Sequence, residues 1–92
     1  MRDDSTDTIR LTELFFARDE EALRETARLY EPLCMHIALN ILADRQDAEE
    51  CVNDTWLRAW NAIPPARPAV LRAFLGRITR NLSLSMLRGR TR

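Results

Sequence analysis

Between Ala48 and Ile63 the small and apolar side chains recur with a single period. Ala48, Cys51, Val52, Thr55, Trp56, Ala59, Trp60 and Ile63 fall at i, i+3, i+4, i+7, i+8, i+11, i+12 and i+15, the spacing of one face of an α-helix. Alternating strand geometry would scatter these residues over two faces. The segment must therefore be helical, and its stripe must lie against other parts of the chain. Pro64-Pro65 ends it, because proline lacks the N–H that the next helical bond needs. Upstream, Ala43 to Asp47 is a connector in which Asp44, or Gln46-Asp47, can cap the helix.

The other segments follow the same period. A first helix is expected from Asp7 or Thr8 to Ala17, with Ile9, Leu11, Leu14 and Phe15 as its apolar set, after a polar, flexible N-terminus over residues 1–7. A second begins near Glu20 and carries Leu23, Ala27, Tyr30, Leu33, Cys34, Ile37, Ala38, Ile41 and Leu42. Pro32 falls inside it and is expected to remove one backbone hydrogen bond and to bend or break the helix near Arg28 and Leu29. After the stiff Pro64-Pro65-Ala66-Arg67 loop, Pro68 suits the first turn of a fourth helix. That helix carries Leu71, Phe74, Leu75, Ile78 and Leu82 on one side and runs to about Arg88, where Gly89 is a natural stop. The expected fold class is all-α, a compact bundle of three main helices plus a short N-terminal helix, forming one domain over residues 8–89. With 92 residues there is room for one small domain, and for no large enclosed catalytic pocket.

The formal net charge of zero hides a strong segregation. Residues 1–55 hold 14 acids against 6 arginines, a balance of −8, whereas residues 56–92 hold 8 arginines and no acid. A basic half without acids suits a polyanion, and an acidic half suits a basic protein surface. All 14 basic residues are arginine, whose planar fork grips phosphates and stacks on bases; a codon bias towards arginine accounts for the missing lysines equally well. The polar, acidic start has no secretory character, and the nearly apolar run from Leu33 to Ala43 is too short to span a bilayer. Two cysteines without a CxxC spacing make neither a disulfide framework nor a standard zinc site, so a reduced, cytoplasmic setting is expected, with no cofactor and no metal.

Two helix faces carry the functional signal. On the third helix Glu49, Asn53 and Leu57 lie at i, i+4 and i+8, with Glu50 and Asp54 beside them, all off the buried stripe. They form an acidic and amide ridge with one exposed leucine, either a dock for a basic helix or a plain solvated face. On the fourth helix, helical rotation puts Arg80 opposite Leu71 and Ile78, and puts Ala73, Gly76 and Ser83 on the same outward side between Arg72 and Arg77. Small residues between cations would let a nucleic-acid backbone approach, and Arg88, Arg90 and Arg92 would extend the track. Trp56 and Trp60 share the third helix's stripe, so a core role is expected over base stacking. Cys34 and His36 point about 160° apart on one helix, which argues against a metal site with Cys51. No nucleophile–base pairing is visible, and neighbouring Glu49 and Glu50 suit acid–base work poorly, so no enzyme is expected.

The stretch Asp47-Ala48-Glu49-Glu50-Cys51-Val52-Asn53-Asp54-Thr55-Trp56-Leu57-Arg58-Ala59-Trp60 resembles the core-binding segment of bacterial sigma factors. Further on, Phe74-Leu75-Gly76-Arg77-Ile78-Thr79-Arg80-Asn81-Leu82-Ser83-Leu84 is similar to the family's Trp-Leu-x-x-Ile-Ala-x-Asn segment, with Arg88 on a basic position beyond it. Leu29-Tyr30 before an apolar helix fits as well. The resemblance covers about residues 12 to 92 and is to region two of the extracytoplasmic-function subgroup of the sigma-70 family. It implies that Glu49, Glu50, Asn53, Asp54 and Leu57 dock on the coiled coil of the polymerase beta-prime clamp. It further implies that the loop from Asn61 to Arg67, with the start of the fourth helix, captures a flipped base of the promoter minus-ten element. Arg72, Arg77, Arg80, Asn81 and Arg88 would meet the non-template strand and adjoining duplex. Anti-sigma factors are further partners of such domains. Recognition and melting need no covalent step, since extruding a base costs a few kcal/mol that a fitted pocket and phosphate contacts can return.

Some positions depart from the family pattern. Asn53 and Asp54 are each one methylene shorter than the usual Gln and Glu, Phe74 stands where Trp is common, and Ser85 replaces a frequent Asp. Sigma factors normally continue into a linker and a second helical domain that reads the minus-thirty-five element. Residues 90–92 are expected to begin such a linker, the chain being either a domain of a longer protein or a single-domain relative. Two rivals stand beside this reading. One is a helix-turn-helix regulator of duplex DNA, against which Pro64, Pro65 and Pro68 replace the short glycine turn of that motif. The other is a protein-only interaction module, whose arginine face would meet an acidic protein.

Overall fold

A computed structural model describes residues 4–90. They form α1 (Asp4–Phe16), α2 (Glu21–Leu42), α3 (Arg45–Ala62) and α4 (Leu71–Arg90), with no strand among the described residues. This is the expected all-α bundle with a short leading helix. The long helix α2 packs against both α3 and α4, these two pack on each other, and α1 lies across α2 and α4.

Each element closes with identifiable chemistry. Asp19 Oδ1 accepts the Glu21 N–H at 2.9 Å and starts α2. At the other end Ala43 turns left-handed (φ 54°) and returns its N–H to the Leu39 carbonyl at 2.9 Å. Asp44 then caps α3, its carboxylate accepting the Asp47 N–H at 2.8 Å, so of the two capping candidates Asp44 is the one used. The cap of α4 comes from outside that helix, because Thr8 Oγ1 on α1 accepts the Leu71 N–H at 2.9 Å. Arg90 closes the far end by donating to the Leu42 carbonyl at 2.7 Å and pairing with Asp47.

The core is built from Leu11 and Phe15 of α1, Cys34, Ala38 and Leu42 of α2, Ala48, Cys51, Val52 and Ala59 of α3, Ile63, and Leu71 and Leu75 of α4. The α3 stripe is as expected, with Trp56 and Trp60 half-buried and packed against the core. Full burial of a side chain such as Phe15 or Leu75 stabilises by roughly 1.5–3 kcal/mol.

Several expectations need correction. α1 begins at Asp4, ahead of the expected Asp7 or Thr8, and Asp7 and Thr8 are buried, because α1 uses this end to cap α4. Ile9, assigned to the apolar face of α1, is 62% exposed. Pro32 does not break α2, which runs unbroken for 22 residues, the proline ring lying on its exposed side. Pro68 precedes α4 rather than occupying its first turn, and the helix passes through Gly89 to Arg90, whose side chain bonds the Leu42 carbonyl. Residues 1–3, Thr91 and Arg92 lie outside the described residues. The inner face of α4 is also turned from the expected one. Leu71, Leu75, Thr79 and Ser83 are buried, while Phe74, Ile78 and Leu82 are half-buried.

Candidate functional site

The turned face of α4 has a polar cause. Thr79 and Ser83 enter the core because hydroxyl and thiol partners on α3 meet them. Thr55 and Thr79 hydroxyls lie 2.9 Å apart, and Cys51 Sγ lies 3.1 Å from Ser83 Oγ. Each threonine also reaches the carbonyl one turn back, Thr55 to Cys51 at 3.0 Å and Thr79 to Leu75 at 2.9 Å. Two hydroxyl protons thus serve three contacts, so the pair shares its hydrogen bonds across the α3–α4 interface. Burial pushes the Cys34 and Cys51 thiols up; for Cys51 the Ser83 contact acts the other way and the charges of Asp54 and Glu50 add to the rise. Both are free thiols, and among the described residues no group of three His, Cys, Asp or Glu gathers that could hold a metal. His36 meets Asn40 at 3.2 Å on the exposed side of α2.

With α3 pinned by that interface, its opposite side is set. Glu49, Glu50, Asn53, Asp54 and Leu57 are all exposed, Leu57 by 58%, and they form one continuous ridge. The one ion pair on it among the described residues is Arg45 with Glu49 at 3.3 Å, both well solvated, which holds little free energy in place. The ridge is therefore a negative surface with an apolar bump, free to meet a basic helix.

The loop between α3 and α4 spans residues 63–70, and Asn61, expected to open it, belongs to the exposed side of the last turn of α3. Ile63 is buried, and the Ile63–Pro64 and Pro64–Pro65 peptides are cis. The Ala66 N–H donates to the Ala62 carbonyl at 2.9 Å. The Arg67 guanidinium stacks over the Phe16 ring at 4.2 Å. Two clefts flank Pro68 and Ala69. One, of about 320 Å³, is walled by Ile9, Thr12 and Glu13 of α1 with Arg67 at its rim. The other, of about 270 Å³, is walled by Val70, Ala73 and Phe74 with Arg77 at its rim.

On α4, Arg77, Arg80, Asn81 and Arg88 are exposed and fall within an arc of about 100°. Arg72 is also exposed but stands apart from that arc, beside Asp7 and Arg28 at a different depression. Arg58, Arg72, Arg77 and Arg80 form no ion pair among the described residues, so their charge is available to an anion. Arg88 reaches Ser85 at 3.3 Å. The expected gap of small residues is only partly present. Ala73 is exposed, but Ser83 is buried, and Gly76 faces α2, where an added Cβ would sit 3.5 Å from Ile37 Cδ1. Arg90, expected to extend the track, is committed to Leu42 and Asp47.

Sequence reasoning missed three residues that shape this region: Thr8, Phe16 and Arg18. Arg18 Nη1 donates to the carbonyls of Trp60 at 2.9 Å and Ile63 at 2.8 Å, and its guanidinium lies 3.7 Å from the centre of the Trp60 ring. Nothing local marks these roles, since Arg18 and its partners are more than 40 residues apart in the chain.

The small helical bundle thus carries an acid ridge on one helix, Arg72, Arg77 and Arg80 without ion pairs among the described residues on the next, and a proline-rich loop between them. Residues 26–92 match the sequence model of sigma-70 region 2, and the chain belongs to that family, which comprises transcription initiation factors rather than catalysts. No solved structure matches the chain. No helix among the described residues is long and apolar enough to cross a membrane.

Proposed function

We propose that this domain, of the extracytoplasmic-function type, docks on core RNA polymerase through the α3 ridge and opens the promoter by capturing the non-template strand of the minus-ten element. In this reading Glu49, Glu50, Asn53, Asp54 and Leu57 meet the coiled coil of the beta-prime clamp. Loop 63–70 and the α4 residues Arg77, Arg80 and Asn81 hold an extruded base and its phosphates, with Asn61, Arg67, Arg72 and Arg88 at the edges of the strand's path. The work takes place where core polymerase is, in the cytoplasm, and an anti-sigma factor would act by covering one of the two faces. The observation that carries the reading is the pairing of faces within the family-matched segment. An exposed acidic ridge and a set of arginines without ion pairs among the described residues stand on adjacent helices held rigidly by the Thr55–Thr79 and Cys51–Ser83 contacts.

The test is binding of the chain to core RNA polymerase, wild type against the Glu49→Lys, Asp54→Lys double variant. Both positions are solvent-facing, so circular dichroism of the variant should match wild type. Reversing two charges at the centre of a complementary interface should weaken binding at least about a hundredfold. A folded variant that still binds with unchanged affinity removes the ridge from the interface, and a wild type that does not bind core polymerase overturns the reading.

A further inference from the structure

We infer that the corner between α1 and α2, which lies ahead of the family-matched residues, sets the shape of the base-capturing loop, with Arg18 as its positioning residue. The inference rests on the proposed role of loop 63–70.

The last carbonyls of a helix have no partner inside it, and they form the negative end of its dipole. At the end of α3 two carbonyls, those of Trp60 and Ile63, converge on one cation, Arg18 Nη1, at 2.9 and 2.8 Å. The same guanidinium lies over Trp60 at 3.7 Å, and Trp60 leans on Phe15 of α1, the ring centres being 6.3 Å apart. The first residue of the loop is thereby tied to α1 through charge, hydrogen bonds and a stacked ring. Four residues on, Arg67 is held over Phe16 at 4.2 Å. The corner thus grips both limbs of the Pro64-Pro65 turn, while Ala17 and Arg18 themselves turn back into α2 with Arg18 in the left-handed region (φ 55°). A left-handed backbone at a bulky residue is uncommon and persists where its surroundings hold it. Here the side chain is fixed at three points.

Arg18 has its cation engaged by two carbonyls. It therefore acts on recognition through loop geometry, not through a phosphate. That separates two properties that a direct contact would change together: base preference and salt dependence.

The experiment measures binding of the chain to single-stranded DNA 12-mers in which one central base is varied among four, in a background sequence selected for tight binding to wild type. Arg18→Ala should lower the preference for the best base from about tenfold or more to near unity. The slope of log Kd against log salt and the affinity for core polymerase should stay as in wild type. Arg18→Lys, which keeps the charge and its donors but loses the planar stack, should recover part of the preference. An Arg18→Ala protein that keeps the wild-type preference overturns the inference and leaves the proposed function standing. A salt slope reduced by about one phosphate also overturns it, because Arg18 would then be a direct contact. A wild type without any base preference overturns the role of the loop and this inference with it. If Arg18→Ala does not fold, Arg18→Gln, uncharged but still planar and able to donate, is judged by the same outcomes.

Discussion

Ala43 and Arg18 occupy the same left-handed region, with φ of 54° and 55°, but for different reasons. Arg18 is held by bonds to Trp60 and Ile63, whereas Ala43 is there because a left-handed residue closes α2 and lets its N–H return to Leu39. The left-handed conformation costs an L-residue about 1–2 kcal/mol, and glycine avoids it while adding about 0.5–1 kcal/mol of freedom to the unfolded chain. Ala43→Gly should therefore stabilise the domain by about 0.5–1 kcal/mol, read as a higher midpoint in thermal or urea unfolding. An unchanged or lower midpoint would mean that the Ala43 methyl makes a compensating contact. The ridge residues Glu49, Glu50, Asn53, Asp54 and Leu57 were legible at this scale, since each lies off a clean apolar stripe and is exposed. Arg90 was not, because its partners Leu42 and Asp47 belong to another corner of the bundle.

Among the elements, α3 could be read from its sequence and α4 only in part. The α3 stripe consists of small and apolar residues at helical spacing, and burial follows it. On α4 the most apolar arc, centred on Phe74 and Ile78, is not the innermost one. Thr79 and Ser83 displace it because their hydroxyls find Thr55 and Cys51 across the interface, a match between two helices that neither sequence segment reveals alone. α2 shows the opposite case. Thr26 is buried, and its hydroxyl has no hydrogen-bond partner among the described residues. An unmet buried hydroxyl costs about 1–3 kcal/mol, so Thr26→Val, which keeps the shape, should stabilise by about 1 kcal/mol in urea unfolding. A destabilised variant would show that the hydroxyl is satisfied in solution. Pro32 belongs to this scale too. Its missing N–H removes one bond from α2, but the helix is held along its length by α3 and α4 and continues through it.

In the whole molecule the charge segregation of the sequence survives folding. Arg10, Arg24, Arg28 and Arg45 pair with acids of the first half, Arg90 with Asp47 crosses between halves, and Arg77 and Arg80 pair with none among the described residues. Folding thus pairs only a few acids of the first half from within and leaves Arg77 and Arg80 for a partner. If that partner is a single strand, each phosphate contact contributes about 0.7 to the slope of log affinity against log salt. Arg77→Ala and Arg80→Ala should each weaken binding to a single-stranded oligonucleotide and flatten that slope by about this amount. A slope that is unchanged in both variants would place the strand elsewhere.

The sequence by itself determined the helical class, the connector ahead of α3, the proline break before α4 and the two oppositely charged faces. Each rests on neighbours within a turn or two, where periodicity and backbone chemistry act. Only the tertiary structure decided where α1 begins, which face of α4 turns inward and what holds loop 63–70. Those depend on Thr8 meeting Leu71, Thr55 meeting Thr79, and Arg18 meeting Trp60 and Ile63. Such hydrogen bonds join groups 24 to 63 residues apart, and their geometry exists only once the helices have packed.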